Sequence, residues 1–461
     1  MKTKLLFAIS FLWGIMGFAQ FGPQQVISTD TEKPYLSIPF DINNNGFIDI
    51  LTASLETHEL SWYPNLDGLG NFGPEIILNE IPTYYLSVEF IDLDNDGYPD
   101  IFYLGNNPRQ VAWLKNIDNQ GNYATEEVLL SAGSIMDMEL FDVDEDGHLD
   151  LVVILQHNFE SSIVWYRNLG NANFGAGQTI WDYDTYLLKL MVVDIDNDGK
   201  KDLVVVDDDY APASIFWHKN LGNHNFGPPE TIFQFDYFLT HKTEILAIKM
   251  ADINNDGKDD FVFSTLDEPN DYRIYWLENI NNLGHYANLR LIHQEQDNFA
   301  LHDLDNDGDL DLLLWHRNFN RVRWKENQDG QGTFGGPRTI TTEVDFPRDV
   351  RIADLNGDGF ADLITASVSD NKIAWYKGEL LNITENKADN FILFPNPTDG
   401  LLTIKSTEEI SKISIFNTLG QQVNFSLNND QVDLSKAAAG VYFITLENSL
   451  GNVQKYKIVK K

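Results

Sequence analysis

The sequence predicts an all-β chain: a seven-bladed β-propeller with cation-binding loops, followed by a small C-terminal β-sandwich. Three observations predict it. One nine-residue loop, Asp-x-Asp/Asn-x-Asp/Asn-Gly-x-x-Asp, recurs from Asp41, Asp92, Asp142, Asp194, Asp252, Asp303 and Asp354, at steps of 50 to 58 residues. Each copy is followed by an apolar run and then a tryptophan: Trp62, Trp113, Trp165, Trp217, Trp276, Trp324 and Trp375. Repeats of ~40–50 residues built from four short strands mark propeller blades. The period ends near Leu381, and residues 391–461 carry neither loop nor tryptophan.

In chain order, residues 1–19 read as a secretory signal. Lys2 and Lys4 are the positive region, Leu5–Phe18 the apolar core, and Gly17-Phe18-Ala19 a small-x-small cleavage site, so the mature chain is expected to start at Gln20. The apolar core is too short to span a bilayer comfortably, and no later segment does better. No transmembrane segment is therefore expected after signal removal.

Residues 20–382 hold the propeller. Each unit reads as four antiparallel strands, a to d. The cation loop joins a to b, because its ninth-position aspartate leads straight into an apolar strand, as in Asp150-Leu-Val-Val and Asp311-Leu-Leu-Leu. Strand c carries the tryptophan, usually with an asparagine three residues on, as in Trp165 and Asn168. A glycine turn and a Phe-Gly or Tyr-Ala pair, such as Phe72-Gly73 or Tyr123-Ala124, lead into strand d. The seventh unit stops at Gly378 without that pair, and the start of the mature chain supplies it as Phe21-Gly22. Phe21–Ile27 is expected to be strand d of the last blade, closing the ring. The regular tryptophans are expected in the core between blades, not as sugar-stacking platforms.

The loops themselves dictate an ion. In the second copy Asp92, Asp94 and Asp96 place three carboxylates on one side of a tight turn, Gly97 permits the bend, the Tyr98 carbonyl adds an oxygen and Asp100 closes the shell. All-oxygen, anionic, flexible coordination suits Ca²⁺. The third copy offers Asp142, Asp144, Asp146, His148 and Asp150; the fourth Asp194, Asp196, Asp198, Lys200 and Asp202. The fifth offers Asp252, Asn254, Asp256, Lys258 and Asp260; the sixth Asp303, Asp305, Asp307, Asp309 and Asp311. The seventh offers Asp354, Asn356, Asp358, Phe360 and Asp362, and the first Asp41, Asn43, Asn45, Phe47 and Asp49, with only two carboxylates. At position seven the backbone carbonyl is the expected ligand. A metal-free Asx turn is the alternative for any single copy. Seven copies of crowded like charge argue for a divalent cation instead. Six to seven Ca²⁺ are expected, the first site being weakest.

The chain has 461 residues, 70 acidic and 32 basic, for a net charge of −38. Such a surface excludes nucleic acid as a partner, because that affinity rests on cationic contacts. There is no cysteine. An exported chain without disulfides needs another staple, and bound Ca²⁺ can serve.

The aspartate loops together with the Phe-Gly pairs resemble the FG-GAP/VCBS repeat family of seven-bladed propellers, related to the integrin α-subunit head. The resemblance spans roughly residues 21–380 and implies Ca²⁺ at the aspartates named above. Asn43, Asn45, Asn254 and Asn356 depart from the pattern, as do the two Tyr-Ala pairs.

Residues 383–390 read as a polar linker and 391–461 as a module of short alternating strands. Strands are expected at Leu401–Lys405, Lys412–Phe416, Gln422–Phe425, Val441–Glu447 and Val453–Val459. Phe394-Pro-Asn-Pro, Ile415-Phe-Asn-Thr-Leu-Gly-Gln, Leu434-Ser, Gly440-Val-Tyr-Phe and the basic terminus resemble the type A sorting domain of the type IX secretion system of Bacteroidota. The resemblance implies passage across the outer membrane, handled by that secretion machinery, to the cell surface or medium.

Two functions follow from different classes. One is a non-catalytic binding protein whose face opposite the cation loops holds an extracellular glycan or protein. The other is a secreted polysaccharide lyase or hydrolase. No compact catalytic motif is present, so no catalytic residue is nominated and binding is the expectation. His58, His157 and His316 are all expected in b–c loops. On that face Tyr84-Tyr85, Asn107-Pro-Arg109, the Trp181–Tyr186 stretch, Asp208–Tyr210, Phe235–Phe238 and Arg317-Asn318 supply the irregular, aromatic loops in which ligand specificity is usually found.

Overall fold

The computed structural model describes residues 19–461 apart from 81–83, 208–212, 236–242, 268–270, 296–297, 381–390, 407–409, 418–421, 424, 429–430 and 449–452. The expected signal core, the linker, Asp208–Tyr210 and residues 236–238 lie outside the described residues. The chain divides into two compact units, residues 1–380 and 381–461. Among the described residues no helix is long and apolar enough to cross a membrane.

The first unit is a seven-bladed β-propeller of four-stranded antiparallel sheets. The first blade shows the plan: strand a is Pro34–Phe40, b is Asp49–Ser54, c is Glu59–Tyr63 and d is Ile76–Glu80. Strands b and c are buried on both faces, which is why they read as apolar runs. Strand a is innermost, and neighbouring a strands meet around a central channel. Two of these contacts are sealed by carboxylates: Asp349 accepts from the backbone N–H of Ser37 at 2.8 Å, and Asp137 from that of Leu190 at 3.0 Å.

The ring closes as the sequence requires. Residues Ala19–Ser28 form strand d of the seventh blade, antiparallel to Lys372–Leu380, while the chain's own a, b and c of that blade come from beyond residue 346. Gln24 on this strand donates to the Glu343 carbonyl at 2.6 Å, and Ser28 accepts from the Tyr63 hydroxyl at 2.8 Å, so one strand ties the last blade to the first.

All seven repeat tryptophans are buried. In blades one, two, five and six a turn glycine between strands c and d (Gly70, Gly121, Gly284 and Gly332) lets the backbone lie against the tryptophan of the preceding blade. A Cβ on Gly70 would come within 2.2 Å of the Trp375 ring, and one on Gly332 within 2.2 Å of Trp276. Both glycines also have positive φ, +82° and +78°. Gly70→Ala is therefore expected to destabilise the propeller by about 2–3 kcal/mol, from overpacking and a left-handed backbone together. Gly133→Ala, with open space around its Cβ, is the control. Equal melting temperatures for the two variants would contradict this account of blade packing.

The second unit is a β-sandwich. One sheet holds Phe391–Phe394, Leu401–Ser406, Gln431–Asp433 and Ser426–Asn428, the other Ile410–Asn417, Gly440–Asn448 and Val453–Lys460. Leu402, Ile404, Ile415, Val432, Ile444 and Ile458 fill the space between them. The expected strand at Gln422–Phe425 is displaced. Gln422 makes only an isolated bridge to Phe416, and the strand lies at Ser426–Asn428, where it pairs with Gln431–Asp433.

Candidate metal centre and binding face

The seven aspartate loops share one geometry. The first aspartate accepts backbone N–H groups of positions five and six on its two oxygens; in the second loop these are Asp96 at 3.0 Å and Gly97 at 2.9 Å. Position five accepts the N–H of position seven, as Asp96 does from Tyr98 at 2.9 Å. Position six is a glycine with φ between +81° and +95° in every copy. This backbone is inaccessible to most side chains, which accounts for the invariable glycine within the chain.

The ninth aspartate does more than end the loop. Asp49 accepts from the N–H of Ile42 at 3.0 Å with one oxygen and from that of Asn65 at 2.7 Å with the other. The Asn65 amide in turn donates to the Leu355 carbonyl of the neighbouring blade at 2.8 Å. Asn168 reaches Leu93 at 3.3 Å and Asn327 reaches Ile253 at 3.0 Å in the same way. In blades one, three and six the asparagine after the tryptophan thus locks its own loop to that of the preceding blade; Asn116, Asn220 and Asn279 reach the carbonyls of their own loops. In the seventh blade the N–H of Gly378 takes the place of the asparagine N–H, at 2.7 Å from Asp362. Burial pushes these ninth-position carboxyls up, against the pull of the two N–H groups: to about 6 at Asp49, Asp150, Asp202, Asp260 and Asp362, about 7 at Asp100 and about 8 at Asp311.

The third position carries the strongest sign of a cation. Asp94, Asp144, Asp196 and Asp305 each hold a buried Oδ1 with no hydrogen-bond partner. The same four loops bring three carboxylates together: Asp92, Asp94 and Asp96; Asp142, Asp144 and Asp146; Asp194, Asp196 and Asp202; and Asp303, Asp305 and Asp311, with one oxygen of each within 4.8 Å of the others. A buried, unpaired carboxylate oxygen is costly, and a hard divalent cation satisfies it. Where asparagine replaces aspartate the donor set weakens. Asn356 turns its amide onto Asp362 at 3.0 Å, and Asn254 onto Asp256 at 3.4 Å. The first loop offers Asn43 and Asn45 and gathers no such cluster among the described residues.

Basic side chains two residues after the tryptophan reach the loops from strand c. Lys115 pairs with Asp94 and, at 2.8 Å, with Asp96; Arg167 lies 2.6 Å from Asp144 and 2.8 Å from Asp146. Lys219 covers Asp196 and Asp198, and Lys377 covers Asp358 at 3.0 Å. An ammonium there neutralises the same oxygens as an ion would, so the two compete. The sixth blade has Glu326 at this position instead. Burial, with Asp307, Glu326 and Asp303 beside it, pushes Asp305 up to about 7. That loop holds the densest negative charge of the seven, and its residues are the best placed to hold a cation.

The loops and the c–d turns share one face, since Gly68 of a turn packs against Phe47 of its own loop, and Asn95 reaches the Gly147 carbonyl of the next loop at 3.0 Å. The opposite face bears the b–c turns and d–a connections. Its aromatic inventory corrects the sequence reading. Trp181 and Tyr183 lie within strand d, Gln178–Tyr183, and Tyr183 is only 9% exposed with its hydroxyl 2.6 Å from His218 Nε2. Tyr85 and Phe235 are also buried. Their neighbours in the adjoining blade, not their loop position, decide this. Among the described residues of this face the exposed rings are Phe159 at 71%, Tyr84 at 42% and Phe319 at 42%, of which Phe159 and Phe319 carry no distinguishing sequence pattern. Each is backed by a second ring: Tyr186 at 6.0 Å from Phe159, His58 at 5.2 Å from Tyr84, and His316 at 4.8 Å from Phe319. Arg321 lies over Phe319 at 5.0 Å and is paired with Glu295 at 2.7 Å.

Comparison with known proteins agrees with this architecture. The FG-GAP-like repeat matches residues 41–103, 92–153, 142–205, 194–263 and 303–365, so all seven loops fall within matches. The secretion system C-terminal sorting domain matches residues 392–461. No curated protein matches the chain. Among solved structures, an Agrocybe aegerita lectin described as recognising non-reducing terminal N-acetylglucosamine is similar at 18% identity and TM-score 0.49, over 73% of this chain and 86% of the lectin. The Photorhabdus luminescens Tc holotoxin pore is similar at 13% identity and TM-score 0.37, over 96% of this chain and 24% of that one.

Proposed function

The chain belongs to the FG-GAP-like repeat family, and from that premise we propose that it is a calcium-stabilised, non-catalytic binding protein that captures an extracellular glycan. Its sorting domain assigns it to export by the type IX secretion system, to the cell surface or the medium. Ca²⁺, at the loops with unpaired third-position oxygens first, would supply charge neutralisation and rigidity. The chain's own residues would do the rest: the first aspartate folds the loop, the ninth anchors it, and Asn65, Asn168 and Asn327 tie their loops to the preceding blade.

The observation that carries the binding reading is the set of exposed, ring-backed aromatics on the face opposite the loops. An exposed ring held rigid by a second ring offers a sugar an apolar surface at little entropic cost. Arg321 beside Phe319 adds donors for hydroxyl or carboxylate groups. The test is glycan-array binding of the mature chain, followed by titration of the best ligand. Phe159→Ala and Phe319→Ala are expected to weaken capture by ~1–2 kcal/mol each while leaving the melting temperature unchanged. An Asp305→Ala variant should do the reverse. Capture that survives both aromatic substitutions would remove this face from the reading. Parallel incubation with marine and plant polysaccharides distinguishes capture from cleavage, since unsaturated products would assign a lyase.

A further inference from the structure

The central channel holds a charge arrangement that the glycan face does not use. A cavity of about 870 Å³ runs between the a strands of blades two to six. Glu89 and Glu139 line one side of it, from strands Tyr85–Ile91 and Ile135–Phe141, and Lys249 lines it from Thr243–Ala251. The other charges at this level are satisfied within the wall. Asp137 pairs with Lys189 at 3.7 Å and accepts a backbone N–H, and Arg351 pairs with Asp349 at 3.0 Å. Arg109, also lining the cavity, donates to the Ile135 carbonyl.

Three groups remain. Among the described residues Glu139 and Lys249 make no hydrogen bond or ion pair, and Glu89 has only the Ser87 hydroxyl at 3.5 Å. Burial, then the carboxylates of Glu89 and Asp137, push Glu139 up to about 8, with Lys189 opposing. Glu89 is raised by burial and by Asp137, and Lys249 is lowered by burial and by the nearby Arg351. An acidic side and a basic side thus face one cavity without meeting. The rest of the lining includes Met136, Leu190, Met191 and Leu301, side chains suited to a methylene chain.

The geometry points to a site in this channel for a small zwitterion, its ammonium between Glu89 and Glu139 and its carboxylate at Lys249. A zwitterion would pair with both sides at once, whereas a single-charge ligand would engage only one of them. The ligand class is an amino acid or short peptide, chemically distinct from the glycan proposed for the outer face.

The test is isothermal titration of the full mature chain with glycine, glycylglycine, 4-aminobutanoate and 6-aminohexanoate, against hexylamine and hexanoate. At least one zwitterion is expected to bind, and the two single-charge compounds at least tenfold more weakly. Glu139→Gln and Lys249→Met should each weaken binding tenfold or more. Titration of the parent protein near pH 7 in two buffers of different ionisation enthalpy should show proton release, as the ligand ammonium displaces the Glu139 proton. That readout survives even if a variant fails to fold. Binding by none of the four zwitterions, equal binding of hexanoate, or absence of proton release overturns the assignment. Glycan capture would be untouched by any of these outcomes.

Discussion

Chelation with EGTA is expected to destabilise the propeller more than any other change of solution at neutral pH. A loop of this type in an extracellular module binds Ca²⁺ with Kd of roughly 10⁻⁴–10⁻³ M. At about five times Kd each site contributes about 1 kcal/mol through linkage, so four good loops give about 4 kcal/mol. The loops of Asp92, Asp142, Asp194 and Asp303 should fill first, because they alone among the described residues gather three carboxylates. The effect should depend on pH, with a definite sign. The ninth-position carboxyls have folded pKa values raised from the ordinary carboxylate range to about 6, 7 and 8. Their contribution is present below about pH 4 and is lost as pH rises through those values. Without cation the propeller should therefore weaken from pH 5 to pH 8, and the gain on adding Ca²⁺ should grow over the same interval. Calorimetry with and without EGTA at the two pH values measures both. Metal analysis showing fewer than three Ca²⁺ per chain in millimolar calcium, or a melting temperature indifferent to EGTA, would contradict the assignment.

Deletion of the first strand is expected to have the largest effect of any change to the chain. Residues Ala19–Ser28 are the outer strand of the seventh blade, and their removal leaves Lys372–Leu380 as an unpaired edge. The ladder hydrogen bonds go, at about 1 kcal/mol each, together with the ties of Gln24 to Tyr376 and Ser28 to Tyr63. A loss of the order of 5 kcal/mol is a large share of the stability of any domain. The truncated chain should unfold without a single cooperative transition or should aggregate. A chain starting at Asp30 that melts like the parent would exclude this closure as a stabilising device.

Much of the cation site was legible because the loop is local. Its nine residues supply their own hydrogen bonds, and its glycine has no alternative at φ near +90°. The seven tryptophans were placed correctly in the core by their regularity alone. Other roles involve partners far away in sequence. Lys115 meets Asp94 across 21 residues, and Asn168 meets Leu93 across 75. The recurrence of Lys or Arg two residues after four of the tryptophans was a usable sign of the first, and the asparagine three residues on was a sign of the second.

The aromatic face shows the opposite case. Tyr183 reads as a loop residue among aspartates, yet it pairs in strand d and buries its hydroxyl against His218 of the next blade. Phe159, in a turn with no distinguishing pattern, is the most exposed ring among the described residues of that face. The blade count, the aspartate loops, the closing strand and the export module were legible in the chain alone, because each is written in a period or a contiguous motif. Tertiary structure alone decided which aromatics face solvent and which charges share the channel. Both depend on which residue of a neighbouring blade stands opposite, and adjacent strands of different blades have no register in sequence.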